Sequence, residues 1–313
     1  MKYAVVLINW NGVDDTLACL DSFVAGSPSA VPIVVDNGST DDSVTRIAEW
    51  LRERGLASSQ LVEAGENLGF AAGCNLGLRM ANALGLVTTV FLNNDTIVEG
   101  DALDRIAARL DGGDVFACLP MLTVHGSDRI WNCGGEVHVS GWRRYHHAGD
   151  PRDTKLPAEI RCSFFTGCCF AVGTAAFLER GGFSERFFFG EEDFELCLWM
   201  KERGLSAVCL TGAVVRHKVS ASFSRAASRQ PDAKVYLYYL NRFIHMRLRL
   251  GMTRWRVWAA AYLVYVVALL ARRRVVRPAD IPRFVRSLMR RARTMDGVSR
   301  ADFERVMRDP LNP

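Results

Sequence analysis

Tyr3-Ala4-Val5-Val6-Leu7-Ile8 is an apolar, β-branched run, and Asn9-Trp10-Asn11-Gly12 breaks it with polar turn residues. A run apolar at every position suits a strand covered on both faces, as parallel strands are. The same sentence is repeated downstream. Pro32 to Val35 is a second short strand, closed by Asp36-Asn37-Gly38-Ser39-Thr40. Leu61-Val62-Glu63 is a third, and Thr88 to Leu92 a fourth, closed by Asn93-Asn94-Asp95. Between them lie stretches with helical spacing. One runs through Phe23, with Asp14-Asp15-Thr16 as candidate N-caps; one is capped by Asp41-Asp42-Ser43 and ends near Gly55; one spans Phe70 to Leu84. Strand alternating with helix predicts a parallel α/β sheet over the first 120 residues.

Beyond residue 120 the pattern changes. Gly134-Gly135, Gly141 and Gly149 punctuate short segments rich in Trp, His and Arg, which reads as hairpins or a loop excursion. Phe164 to Val172 is expected as a strand, Ala175 to Glu179 as a short helix, Asp193 to Gly204 as a helix and Leu205 to Leu210 as a strand. Tyr236 to Leu250 is helical, aromatic and basic. Val257 to Ala271 is a run of 15 apolar residues bounded by Arg254, Arg256 and Arg272-Arg273-Arg274. A spanning helix needs about 20 apolar residues. The run therefore reads as a segment lying in the interface of an anionic leaflet, as a helix buried against the body, or as a dimer contact.

The net charge of +5 conceals an asymmetry. Residues 216–313 carry 22 Lys and Arg against 6 Asp and Glu, a net of +16, which leaves −11 for residues 1–215. A basic C-terminal part suits an anionic partner: membrane phospholipid, a lipid diphosphate or nucleic acid. The nine cysteines are scattered with no CxxC pair, and Cys168-Cys169 are adjacent. They read as buried thiols of a reducing cytoplasm rather than a disulfide framework or a zinc site. The charged start runs straight into a strand pattern, so no signal peptide is expected.

In open α/β sheets, ligands bind at the carboxyl ends of the strands, and there the polar residues gather. Asn9 ends the first strand, Asp36 the second, and Asp95 follows the fourth. Asp36 is suited to accept the imide N–H of a uracil or thymine ring. Glu66-Asn67-Leu68-Gly69-Phe70-Ala71-Ala72-Gly73 is rich in small residues and opens a helix, so a ribose or phosphate can approach its backbone closely. It is not a GxGxxG dinucleotide fingerprint. Asp95 is a hard oxygen ligand of the kind that holds Mg²⁺ or Mn²⁺ on a diphosphate. His217, beyond a later strand, would favour Mn²⁺. Gly190-Glu191-Glu192-Asp193 opens a helix. Its acids would cap the helix and complement its dipole, and one could act as general base toward an acceptor hydroxyl.

Taken in order, these stretches resemble glycosyltransferase family 2. They are Val5 to Gly12, Val34 to Asp41, Glu66 to Phe70, Leu92 to Asp95, Thr166-Gly167-Cys168, Gly190 to Cys197 and Val215-Arg216-His217. The resemblance covers about residues 1–220. It implies a GT-A fold: a Rossmann-like, mostly parallel central sheet with flanking helices as a catalytic domain over 1–220, followed by a helical, basic region over 221–313. It further implies an inverting transferase. In it Asp36 binds the base, with Asn9, Asn67, Gly69, Gly73 and Asn94 around the nucleotide. Asp95 and His217 hold a divalent Mn²⁺ or Mg²⁺. Asp193 is the catalytic base, with Glu192 the competing candidate. Asn93 departs from the family's DxD metal motif, so the metal is expected to bind well only together with the donor diphosphate. Asn93-Asn94-Asp95 and Tyr238-Tyr239-Leu240-Asn241-Arg242 resemble the bacterial rhamnosyltransferase subgroup, which implies dTDP-rhamnose as donor, with UDP-linked hexoses open. The implied acceptor is a glycan or a polyprenyl-diphosphate-linked sugar. The implied setting is the inner face of the cell membrane, with an anionic lipid surface and no nucleic acid as partner. A sugar-nucleotide nucleotidyltransferase would need a basic Gly-rich loop where Asn9 to Asp14 stands. A processive synthase would need several spanning helices and a QxxRW motif. A non-catalytic lipid- or polyanion-binding protein would find Asp193 dispensable.

Overall fold

The computed structural model describes residues 1–56, 60–218, 231–274 and 276–310. The chain divides into two compact units, Met1–Ser184 with Glu192–Ser222, and Glu185–Glu191 with Phe223–Pro313. The boundary expected at 220/221 lies outside the described residues, and the short segment 185–191 groups with the C-terminal unit.

The first unit opens as the sequence reads: β1 (Tyr3–Asn9), α1 (Val13–Val24), β2 (Ala30–Asp36), α2 (Ser43–Glu53), β3 (Gln60–Glu63), α3 (Phe70–Ala83) and β4 (Thr88–Asn93). β1 pairs in parallel with β2 and with β4, and β2 with β3. The register sets Asn9 opposite Asp36 and Ile8 opposite Asn93, so the polar residues that end three strands share one edge of the sheet. There follow β5 (Thr96–Val98), α4 (Ala102–Leu110), β6 (Ala117–Val124), β7 (Ile130–Asn132), the hairpin strands β8 (Gly135–Val137) and β9 (Arg143–Tyr145), β10 (Glu159–Cys162), β11 (Cys169–Gly173), α5 (Thr174–Glu179), α6 (Glu192–Glu202) and β12 (Ala207–His217). The sheet order is β10-β12-β6-β11-β4-β1-β2-β3, with β5 added to β12 and β7 to β6. β11 is antiparallel to both neighbours while β12 is parallel to β6. Thus β3, β2, β1, β4, β6 and β12 run one way, and β11 and β10 the other. This is the mostly parallel sheet expected.

Four expectations need correction. The strand placed at Phe164–Val172 begins only at Cys169; Phe164 and Phe165 are apolar because they enter an aromatic core, Phe165 standing 4.8 Å from Phe170. The strand placed at Leu205–Leu210 continues past an irregularity between Leu210 and Val214 to His217, which is its last residue and not beyond it. The α1 N-cap is Gly12, and Asp14 and Asp15 lie within the first turn. Glu191 is not part of the acidic helix start: α6 begins at Glu192, and Glu191 has a left-handed φ of 78°. All nine cysteines are free and buried.

The second unit is helical: α7 (Pro231–Arg273), α8 (Ile281–Thr294) and α9 (Arg300–Arg308). α7 is interrupted at Gly251, whose φ of 73° and ψ of 162° are outside the helical region and suit only glycine. The break folds the chain back on itself. Trp255 Nε1 donates to the Phe243 carbonyl at 2.9 Å, whereas 12 residues of continuous helix would separate them by about 18 Å. Phe243 also meets Trp258 and Tyr262, with ring centroids 5.1 and 5.8 Å away. By length and composition Ala233–Arg273 would suffice to cross a membrane, but it is a hairpin of two arms. In the second arm Trp255, Ala259, Tyr262, Val266 and Leu270 are buried, while Val257 and Val264 on the other side are 74% and 72% exposed. Packing between the two arms therefore accounts for only one side of the Val257–Ala271 run.

Segment 185–191 is bound into this unit. Phe188 N donates to Val298 O (2.8 Å) and Asn241 Nδ2 to Phe189 O (2.8 Å). The fully buried Arg242 donates through Nε to Glu191 Oε1 at 2.6 Å, and His245 Nδ1 stands 3.0 Å from the same oxygen. Burial alone would raise the Glu191 carboxyl; the Arg242 charge and the hydrogen bonds from His245 and Arg242 outweigh it and hold the group below the ordinary carboxylate range. Removing one partner of a buried pair strands the other charge, at about 3–5 kcal/mol. Arg242→Met is accordingly expected to lower the unfolding free energy by that amount in urea titrations. Because the folded pKa is depressed, the pair's contribution is present above the ordinary value of 4.5 and is lost as pH falls through the folded value. Stability measured from pH 6 downward should therefore decline less steeply in Glu191→Gln than in wild type.

Candidate active site

The carboxyl edge of the sheet holds a connected set of buried polar side chains. Asn9 Nδ2 donates to Asp36 Oδ2 (2.8 Å), and Asn9 Oδ1 accepts from Thr16 Oγ1 (2.8 Å). Thr16 Oγ1 in turn accepts from Asn94 Nδ2 (2.9 Å). β1, β2, α1 and the turn after β4 are thereby tied through four side chains. Thr16 carries no motif signal; the clue is a hydroxyl at a buried position of an otherwise apolar helix face.

Asp36 accepts from Ser39 N (2.9 Å) and Ser39 Oγ (2.6 Å) besides Asn9. A carboxylate has about four lone-pair sites, so three donors leave room for one more, which is what an imide N–H requires. The turn is pressed against the loop ahead of α3. A Cβ on Gly38 would stand 2.4 Å from the Glu66 backbone, and Gly38 has a φ of 73°. Asn37 fastens the two loops, donating to Asn67 Oδ1 and the Gly69 carbonyl (3.2 Å each) and accepting from Leu68 N (3.0 Å). Asn67 and Gly69 thus sit beside the Asp36 turn. Gly73 differs: a Cβ there would meet Ile8 Cδ1 at 3.3 Å, so its smallness lets α3 approach β1.

Asp95 and His217, 122 residues apart in sequence, are brought together by β12. Its last residue pairs with Thr96 on β5 and with Val124 on β6. His217 Nε2 then stands 3.1 Å from Asp95 Oδ1, both side chains being 8% exposed. The bond between Lys218 N and Asp95 O (2.9 Å) closes the corner. His217 Nδ1 and Asn93 Oδ1 are buried with no hydrogen-bond partner among the described residues. Among the described residues no third His, Cys, Asp or Glu joins the pair. An imidazole and a carboxylate fit a divalent ion whose other positions are filled by diphosphate oxygens and water, the usual arrangement for nucleotide-bound Mg²⁺ or Mn²⁺.

Glu192 and Asp193 lie in the first turn of α6. Asp193 Oδ1 accepts from Phe194 N at 2.6 Å, and Arg143 Nη1 stands 4.0 Å from the same oxygen. Arg143 lies over Phe164 (5.1 Å) and Tyr145 (5.7 Å). Tyr145 neighbours Trp131 (6.5 Å), and Trp131 covers His217 (4.7 Å). A row of rings thus joins the Asp95–His217 pair to the acidic turn. The sequence shows only a region rich in Trp, His and Arg; strands of three residues are too short to reveal which of them face one another.

The mostly parallel sheet with its flanking helices is that of a GT-A fold. Residues 2–236 match the model of "Glycosyltransferase like family 2", and the chain belongs to that family; it is a glycosyltransferase. No curated protein sequence matches. Similar solved structures include GalNAc-T7 with UDP, GalNAc and Mn²⁺ (16% identity, 78% of this chain and 51% of that one, TM-score 0.59). Others are the mannosyltransferase PcManGT of Pyrobaculum calidifontis with GDP-Man and Mn²⁺ (15%, 94% and 86%, TM-score 0.54) and S. aureus TarS 1-349 with UDP-GlcNAc (14%, 93% and 72%, TM-score 0.53). The chain spans about half the length of the GalNAc-T7 chain. At these identities the likeness is one of fold.

If Asp95 and His217 form half of a metal site, Mn²⁺ should raise the affinity for UDP or dTDP measured by calorimetry. Loss of a supporting group around a metal costs about 10- to 100-fold, and Asp95→Ala should cost at least that while leaving the weak metal-free binding in place.

Proposed function

We propose that this glycosyltransferase is inverting and moves one sugar from a nucleotide diphosphate donor to an acceptor hydroxyl. The observation that carries the reading is the buried Asp95–His217 pair beside Asn93 and Asn94, at the sheet edge where Asn9 and Asp36 meet. Asp36 takes the base, and Asn67 and Gly69 border the ribose. Asp95 and His217 are the residues that would hold Mn²⁺ or Mg²⁺, which when bound offsets charge developing on the diphosphate leaving group. Asp193 accepts the acceptor proton as the oxygen attacks the anomeric carbon from the face opposite the diphosphate. A single displacement inverts that centre.

The donor we propose is dTDP-rhamnose, on the resemblance of Asn93-Asn94-Asp95 and Tyr238 to Arg242 to rhamnosyltransferases; a UDP-hexose is the alternative. The acceptor is a glycan or a polyprenyl-diphosphate-linked sugar, as in cell-envelope polysaccharide assembly. We place the enzyme peripherally at the cytoplasmic face of the membrane. Supporting this, the exposed valines of the second α7 arm are bounded by the exposed Arg254, Arg256, Arg272 and Arg273, an apolar strip with cations suited to an anionic leaflet. A non-catalytic binding protein on the same scaffold would keep nucleotide binding and lose nothing in Asp193 variants.

Donor hydrolysis and transfer, scanned over UDP-, dTDP- and GDP-sugars with Mn²⁺ or Mg²⁺, should release nucleoside diphosphate from one donor. General-base removal costs about 10²- to 10⁴-fold, so Asp193→Asn should lower transfer by that factor with nucleotide affinity retained. Transfer at the wild-type rate in Asp193→Asn would sink the assignment of the base. The protein should also float with phosphatidylglycerol liposomes and not with phosphatidylcholine, and Arg272, Arg273 and Arg274→Ala should abolish flotation.

A further inference from the structure

We propose that the half-buried rings of Trp131 and Tyr145, with the Arg143 guanidinium, form the acceptor platform, and that it takes a neutral pyranose of a glycan rather than a bare lipid phosphate. The inference rests on the transferase reading above and names the substrate class of that same site. In-line displacement puts the acceptor oxygen between the donor's anomeric carbon and the base. The acceptor must therefore lie along the protein surface that leads from the diphosphate-binding pair to Asp193. That surface is the row already described: His217 under Trp131 (4.7 Å), Trp131 beside Tyr145 (6.5 Å, planes 35° apart), and Arg143 over Tyr145 (5.7 Å) with its Nη1 4.0 Å from Asp193.

Three features favour a sugar ring. Trp131, Arg143 and Tyr145 are all partly exposed, whereas Phe164 behind them is fully buried, so the platform has an outer side. The exposed parts of the rings suit the C–H face of a pyranose, and the Arg143 guanidinium lying over Tyr145 suits its hydroxyl edge. A phosphate on an alkyl chain has no flat apolar face to lay there. The platform is also held firmly. Gly135 sits so close to the partner strand of the β8–β9 hairpin that a Cβ would stand 2.0 Å from the Arg144 carbonyl, and Gly135 O accepts from both Ser163 N and Phe164 N. The bases of β8 and β9 are thereby fixed against the body, and Arg143 and Tyr145 with them.

The test measures transfer to a panel of octyl pyranosides, with dodecyl phosphate as the non-sugar acceptor, in wild type, Tyr145→Ala and Tyr145→Phe. The donor is the one the hydrolysis scan selects. Loss of a stacking ring predicts a rise in acceptor KM of about 3- to 10-fold or more in Tyr145→Ala, with donor KM unchanged and near wild-type values in Tyr145→Phe. An acceptor KM unmoved in Tyr145→Ala, or one that rises in step with donor KM, overturns the platform. So does a wild-type enzyme that uses dodecyl phosphate and none of the pyranosides. A wild-type enzyme that neither hydrolyses nor transfers any donor sugar defeats the transferase reading itself, and the platform with it.

Discussion

The buried amide of Asn9 constrains everything at the sheet edge. Its strand is apolar on both faces, so its side chain points into a region without bulk water, where an unmade hydrogen bond costs about 1–3 kcal/mol. Asn9 meets that demand by donating to Asp36 and accepting from Thr16, and each of these partners has a further obligation. Asp36 collects Ser39 and so shapes the turn after β2; Thr16 collects Asn94 and so fixes the turn after β4. The groups assigned to the base, the sugar-phosphate end and the metal are therefore not three independent sites. A change at Asn9 would be felt at all of them, because the polar network holds their loops in one arrangement.

The second dependence is on register. β12 brings His217 to Asp95 only because its irregularity between Leu210 and Val214 shifts the pairing with β6. Had the strand ended at Leu210, as its apolar run alone suggests, His217 would hang in a loop with no defined relation to Asp95. A histidine in a connecting segment and a histidine at the end of a strand paired on both sides look the same in one dimension. The strand's later half, Thr211 to His217, alternates polarity weakly and contains Gly212, which hides it from a periodicity argument.

That contrast explains what could be read beforehand. The order of strand, turn and helix through residue 93, the strand-end positions of Asn9, Asp36 and Asp95, and the family itself were legible, because parallel strands are long apolar runs and their turns carry Asn, Asp, Gly and Ser for local reasons. Thr16, Trp131, Arg143 and Tyr145 were not legible as a group. Each is an ordinary residue locally, and their relation depends on which short strands pair. Glu191 departs from the helix-start pattern for a different reason. Three consecutive acids ahead of an apolar stretch make a sound helix start, but a left-handed φ at Glu191 turns its side chain out of the series and gives it to Arg242 and His245.

The 15-residue apolar run shows the limit of composition most clearly. A run apolar on all faces fits a core helix, a membrane span or an interfacial segment equally well, and periodicity cannot choose because there are no polar positions to give a phase. What distinguishes them is the neighbour. Gly251 reverses the chain, so Phe243 on the first arm becomes the packing partner of Trp255, Trp258 and Tyr262 on the second. One side of the run is thereby covered from within its own unit, and Val257 and Val264 are left on the other. The hairpin divides the Pro231–Arg273 helix into two arms at Gly251 and leaves the apolar strip on the second. Since the arginines at its ends are exposed as well, the strip is amphipathic along its length rather than around its girth. It has an apolar middle and cationic ends, and one side of that middle is already packed against the first arm.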